Sequence, residues 1–174
     1  MFVSPKKITE QSFVDVNMKI ADVGCGTGHH TFDLAEAVGP SGRVYAIDVQ
    51  EDLLMTLKRE SDRRKLNNVI IILADAEKNT GIESNSLDRV FFSNSFFQFE
   101  DKEGAVMEAK RLLRRGGRIV VVDWLSSFNH LGPHPDNVFG KEAAVKLFLK
   151  NDFQLDKELT AVGDYHYGLI FKHD

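Results

Sequence analysis

The sequence predicts an α/β fold built on a mostly parallel sheet, and three observations carry that expectation. Short apolar runs alternate with helix-period patterns along the chain. A glycine turn, Gly24-Cys25-Gly26-Thr27-Gly28, joins the first such run to a helical pattern. An acid, Asp48, stands about twenty residues further on at the end of the second run, where a carboxylate can hydrogen-bond ribose hydroxyls.

The elements follow in order. Ser4-Pro5 reads as an N-cap and first-turn pair opening a short helix over about 5–12, inside a short N-terminal segment, 1–18. Strand one is 19–24. The next helix carries Phe32, Leu34, Ala35 and Val38 and stops at Gly39-Pro40-Ser41-Gly42. Strand two is 43–48. A helix from about Glu51 to Lys65 turns Leu53, Leu54 and Leu57 inward and breaks at Asn67-Asn68. Val69-Ile70-Ile71-Ile72-Leu73 reads as a third strand buried on both faces. Strand four is Leu87–Ser93. A helix over about 101–114 ends at Gly116-Gly117, and strand five, Arg118–Trp124, follows. Residues 125–139 form a long loop with two prolines over the substrate side, since long loops in compact domains are often functional. A helix over about 140–150 comes next. Phe153–His173 then alternates around Gly163-Asp164 and predicts a hairpin that brings in an antiparallel strand.

Composition sets bounds. A chain of 174 residues, 43% hydrophobic, is one domain's worth, so 1–174 is expected to be a single domain. The net charge of −4 argues against nucleic acid as a partner. Basic clusters at Lys58–Lys65 and Arg111–Arg118 fall late in predicted helices, where they complement the helix dipole. The single Cys25 excludes an internal disulfide and a cysteine metal cluster, and no metal is expected. No run approaches the ~20 apolar residues that span a membrane, and the N-terminus has no signal-peptide core. A cytoplasmic protein without a membrane partner is expected, and a homodimer is compatible with it.

Glycine spacing selects the ligand. The dinucleotide fingerprint is G-x-G-x-x-G, whereas Gly24, Gly26 and Gly28 give G-x-G-x-G. His29 occupies the third dinucleotide glycine's place and would obstruct a pyrophosphate. Asp22, just before the turn, suits a ligand with a positive amine. The turn, ahead of a helix, is expected to aim several N–H groups at the ligand.

The run Asp22–Gly28 followed by Asp48 closely resembles motif I of the class I S-adenosylmethionine-dependent methyltransferases. The resemblance extends through Asp75-Ala76, through Leu87–Asn94, and through Glu108 with Arg111–Arg118, in order and at the right spacing. The general look is similar to the ubiquinone/menaquinone C-methyltransferase and arsenite-methyltransferase branches. It implies a Rossmann-like seven-stranded sheet of order 3-2-1-4-5-7-6, with one antiparallel strand and helices on both faces. It also implies S-adenosylmethionine as cofactor, held by Asp22, Gly24, Cys25, Gly26, Gly28, Asp48, Val49, Asp75, Ala76 and Asn94. In that scheme Asp22 meets the methionine amine, Asp48 the ribose and Asp75 the adenine amine, while Val49 and Ala76 face the base. Three departures stand out. About 18 residues precede strand one, where relatives carry substrate-binding helices. Phe96-Phe97-Gln98-Phe99 replaces a segment where relatives often place histidines, and Arg115 replaces a proline.

Methyl transfer from a sulfonium is an in-line displacement in which the cofactor supplies the electrophile and the protein aligns the partners. A base is needed only for an acceptor that must lose a proton. Candidates are His29, next to His30 at a helix start, Asp123 at the end of strand five, and His130 and His134 in the loop. Phe97 and Trp124 are expected to line the acceptor pocket. Plainer readings stand beside these: Asp22, Asp48 and Asp75 as caps, and Phe96, Phe97 and Phe99 as core. The functional expectation is methyl transfer to a small molecule. The alternatives are a cofactor-binding module without catalysis, or a methyltransferase for RNA or protein. A nucleotide-dependent oxidoreductase is disfavoured by His29, Asp75 and Gly116-Gly117.

Overall fold

Near-continuous apolar runs let a strand bury both sides when helices cover both faces of a sheet. Lys19–Val23 (β1), Arg43–Asp48 (β2), Val69–Leu73 (β3), Leu87–Ser93 (β4) and Leu113–Trp124 (β5) pair in parallel. Gln154–Glu158 (β6) and His166–Lys172 (β7) close the sheet, with β7 antiparallel to both β5 and β6. The computed structural model describes residues 4–128, 132–160 and 162–174. Among these residues the strand order is β3-β2-β1-β4-β5-β7-β6, as expected, with one strand reversed.

The helices are Pro5–Gln11 (α1), Thr31–Val38 (α2), Glu51–Arg64 (α3), Lys102–Leu112 (α4) and Lys141–Lys150 (α5). Ile8 of α1 and Leu34, Ala35 and Val38 of α2 bury against Ile20, Val44, Phe91 and Val120 on one face. Leu54 and Leu57 of α3 join Cys25, Phe32 and Ala46 in a neighbouring cluster. Ala105, Val106, Ala109 and Leu112 of α4 and Ala144 and Phe148 of α5 cover the other face, over Ala21, Val23, Val90 and Val121. Short 3₁₀ turns lie at Phe96–Gln98 and Pro135–Asn137.

Four expectations need correction. β3 is not buried on both faces: it is an edge strand, with Ile70 37% and Leu73 56% exposed. A continuous apolar run cannot by itself tell an edge from the interior. Gly116-Gly117 does not stop α4. The helix ends at Leu112 and β5 starts at once. The glycines lie in an irregularity of the ladder, where one residue of β4 between Leu87 and Arg89 faces four of β5 between Leu113 and Arg118. Gly116 supplies the left-handed φ of +75° that this excursion requires. The basic cluster Arg111–Arg118 therefore sits mostly on a strand, where Arg114 pairs with Asp88 and Arg118 with Asp156. Lastly, α3 runs to Arg64, close to the expected end, but it is stopped by Lys65, left-handed at φ 58°, and not by the asparagines. Asn68 caps α2 instead, donating to the carbonyls of Ala35 and Gly39 at 2.7 and 2.9 Å.

Among the described residues, no helix is long and apolar enough to cross a membrane.

Candidate cofactor and acceptor site

Ligands of open α/β sheets bind beyond the carboxyl ends of the strands, where adjacent connections part to opposite sides. At that edge the segments after β1, β2, β3 and β4 enclose a cleft of ≈ 320 Å³. Its lining includes Gly24, Gly26, Asp48, Val49, Asp75, Ala76 and, after β4, Ser95, Gln98 and Phe99. Sequence reasoning thus named six of its residues, Gly24, Gly26, Asp48, Val49, Asp75 and Ala76. It missed Ser95, Gln98 and Phe99 as cleft residues, although the polar pair Asn94-Ser95 directly after a strand was a readable signal.

The glycines have different jobs. Gly26, at φ +55°, has no atom within 4 Å of where a side chain would start, so the backbone there is open to a ligand. At Gly24, φ +69°, a side chain would lie 2.4 Å from Ser95 Cβ, because the turns after β1 and β4 cross at this point. Ser95 locks the crossing by donating its hydroxyl to the Val23 carbonyl at 2.7 Å. Gly28 makes room for Phe32 and Leu57, which is packing between α2 and α3. Cys25 likewise turns into the cluster with Phe32, Leu54 and Leu57, and burial pushes its thiol pKa well up.

The expectation that the turn aims its N–H groups at the ligand is corrected. Gly24 and Cys25 donate to the Ile47 carbonyl, at 2.8 and 3.1 Å, and Gly28 to that of Cys25 at 2.9 Å. Gly26 donates to Asp48 Oδ2 at 2.9 Å. These donors are spent inside the protein, so the turn is no nest for a pyrophosphate.

The acids are held firmly. Asp48 accepts from Gly26 and, through Oδ1, from the Gln50 N–H at 3.0 Å, which fixes its carboxylate at the rim of the cleft. Asp22 is 2% exposed beneath the turn, outside the cleft lining, and accepts from the Thr31 hydroxyl at 2.6 Å. Burial raises its pKa to about 6, against the Thr31 bond and with a further push from Asp48. Asp75 faces Lys78 at 2.9 Å and accepts from the Glu77 N–H; the Lys78 contact is the main reason its pKa lies below the usual range. Asn94 takes a left-handed φ of 55°, and its Oδ1 is buried without a partner.

The catalytic candidates scatter. His29 lines a shallow hollow with Pro5, Thr27, Phe32, Asp33 and Arg64, apart from the cleft. His134 is exposed in the loop near Asp136. His130 lies outside the described residues. Asp123 is fully buried and accepts from the Phe97 N–H through Oδ2 and the Trp124 N–H through Oδ1, both at 2.8 Å. Burial lifts its pKa to about 6 despite those bonds. It clamps the segment after β4. Phe97 lines a hollow of ≈ 480 Å³ with Lys102, Asp136 and Phe139, which shares Gln98 and Phe99 with the cleft. Trp124 is not among that lining and instead contacts His166, ring centroids 4.2 Å apart. Among the described residues, no group of His, Cys, Asp and Glu is placed to hold a metal.

Comparison with known proteins agrees with this geometry. Residues 14–158 match the family model described as a methyltransferase domain. The chain is 35% identical over 101 residues to an aklanonic acid methyltransferase of Streptomyces sp. (strain C5), covering 58% of this chain and 46% of that protein. It is 34% identical over 110 residues to a demethylmenaquinone methyltransferase of Geobacillus sp. (strain WCH70), covering 63% and 47%. The chain thus spans about half the length of the curated relatives it matches. In fold it is similar to the crystal structure of a SAM-dependent methyltransferase from Aquifex aeolicus, with a TM-score of 0.91 at 24% identity, over 98% of this chain and 90% of that one.

Proposed function

We propose, since the chain belongs to the family of methyltransferase domains, that it transfers the methyl group of S-adenosylmethionine to a small-molecule acceptor. The observation that carries this reading is the cleft at Gly26 and Asp48. Its turn spends its N–H groups internally, while two fixed carboxylates, Asp48 and Asp75, border it. A ligand with ribose hydroxyls, an adenine amine and an ammonium suits such a border, and one with two phosphates does not. Asp48 is set to receive the ribose, Asp75 the base and Asp22 the ammonium, with Val49 and Ala76 as apolar walls.

The relatives named above carry small organic acceptors in their names, which supports a small molecule here. The acidic balance disfavours RNA. A cytoplasmic setting belongs to the same proposal, on the single, buried, free thiol of Cys25. Calorimetric titration with S-adenosylmethionine, S-adenosylhomocysteine and NAD tests the reading. The two sulfur compounds are expected to bind and NAD to fail; tighter binding of NAD would defeat it.

A further inference from the structure

An edge strand leaves a row of backbone N–H and C=O groups without partners, and proteins blunt such edges with charge, proline, a bulge or a covering segment. The two edges of this sheet differ. The β6 edge is blunted: it carries Asp156, Lys157 and Glu158, and its ladder with β7 is broken by an irregularity between Leu155 and Lys157. The β3 edge has none of these devices. Val69-Ile70-Ile71-Ile72-Leu73 holds no charge and no proline, and it pairs with β2 in unbroken register. Ile70 and Leu73 stand exposed on it.

The ladder shows which backbone groups are free. The Val44 N–H donates to the Asn68 carbonyl at 2.9 Å, and the Ala74 N–H to the Asp48 carbonyl at 3.1 Å. In a parallel ladder alternate residues turn to the same neighbour. Ile70 and Ile72 therefore bond to β2, while Val69, Ile71 and Leu73 turn their N–H and C=O groups outward. Side chains alternate as well: Val69 and Ile71 pack against the cluster of Leu54 and Leu57, and Ile72 lies with Tyr45 and Ala74 on the other face.

We infer that this edge receives the same edge of a second copy of the chain, antiparallel about a two-fold axis at Ile71. The strand itself selects that occupant. Its outward residues are symmetric about Ile71, so Val69 meets Leu73 and Ile71 meets Ile71, each pair exchanging both hydrogen bonds. Ile70 then lies opposite Ile72, and Leu73 opposite Val69, so both exposed side chains gain apolar neighbours. Charge fixes the direction. Arg63 and Arg64 before the strand are held by Glu60, and Asp75 after it is paired with Lys78. That leaves exposed Lys65 at one end and Glu77 at the other, equally far from Ile71 in sequence. Antiparallel pairing carries Lys65 of each copy toward Glu77 of the other, whereas parallel pairing would set like charges together. Such a contact is isologous and closes at two copies. The two cofactor clefts then face opposite ends of one continuous sheet. The inference stands apart from the cofactor reading, and its test adds no ligand.

Sedimentation equilibrium of the full chain should show monomer and dimer and no larger species. Ile70→Lys and Leu73→Lys, both at exposed positions, should each weaken the dimer at least about tenfold, since a lysine on an edge opposes strand addition. Residue-resolved amide exchange locates the contact. The N–H groups of Val69, Ile71 and Leu73 should slow at least about tenfold as the wild type dimerises, and should lose that protection in either variant. Those of Ile70 and Ile72, bonded to β2, should stay protected in all three proteins, which certifies that the variants are folded. A wild type that stays monomeric into the millimolar range overturns the inference. So does a dimer unmoved by both lysines, an open series of larger species, or outward N–H groups whose exchange ignores concentration.

Discussion

Asp22 keeps a buried carboxyl whose charged form the folded protein disfavours. Its pKa moves from 3.8 to about 6, burial outweighing the Thr31 hydrogen bond. The penalty is therefore fully present above about pH 6 and disappears as pH falls from there toward 4. At about 1.4 kcal/mol per unit, the cost at neutral pH is up to ~3 kcal/mol. Asp22→Asn, which still accepts from Thr31, should raise the melting temperature at pH 7 and lose that advantage near pH 4. It should also weaken S-adenosylmethionine binding, because the ammonium loses its counter-charge. A variant that is no more stable at pH 7 than the wild type contradicts this account. Asp48 holds the Gly26 and Gln50 N–H groups as well as its place at the cleft. Hydrogen bonds to a carboxylate contribute about 1.5–3 kcal/mol. Asp48→Ala should cost roughly tenfold or more in cofactor affinity by calorimetry; unchanged affinity with only a lower melting temperature would make Asp48 a cap and nothing more.

At the scale of elements, the crossing of the turns after β1 and β4 is the tightest constraint near the site. Gly24→Ala meets both a left-handed φ and a side chain 2.4 Å away, so it should destabilise by about 1–3 kcal/mol. Ser95→Gly removes the obstructing Cβ. A double-mutant cycle read by urea denaturation should therefore show a favourable coupling of about 1 kcal/mol between the two changes. Strictly additive effects would mean that the φ strain is the whole cost. Strand and helix positions along the chain were legible because period and glycine punctuation are local. What stayed hidden was non-local. The exposure of Ile70 and Leu73 depends on β3 having no neighbour on one side. The placement of Gly116-Gly117 depends on β4 being shorter than the stretch of β5 it faces. In the site, Asp48 was readable from its spacing after the glycine turn, and Val49, Asp75 and Ala76 from the family resemblance, whereas Ser95 enters the cleft only because its turn lies across Gly24.

For the molecule as a whole, two ties bring distant parts of the chain together. One is Arg89, 4% exposed, which donates to the carbonyls of Ser12 and Phe13 and so fastens α1 to β4. Arg89→Met leaves those carbonyls without their donor and should destabilise by about 2 kcal/mol, with hydrogen exchange over residues 5–13 rising more than in β5. Uniform exchange across the fold would mean that α1 is held by Ile8 and its apolar neighbours alone. The other tie runs through the segment after β4. Asp123 grips Phe97 at one end of it, and Ser95 presses on Gly24 at the other. A cofactor in the cleft would therefore order these same few residues, and a contact that orders them beforehand relieves the cofactor of that entropy cost. Asp123→Ala, by releasing the segment, should weaken S-adenosylhomocysteine binding in calorimetry although Asp123 is not part of the cleft lining, so that the cofactor is left to build part of its own wall.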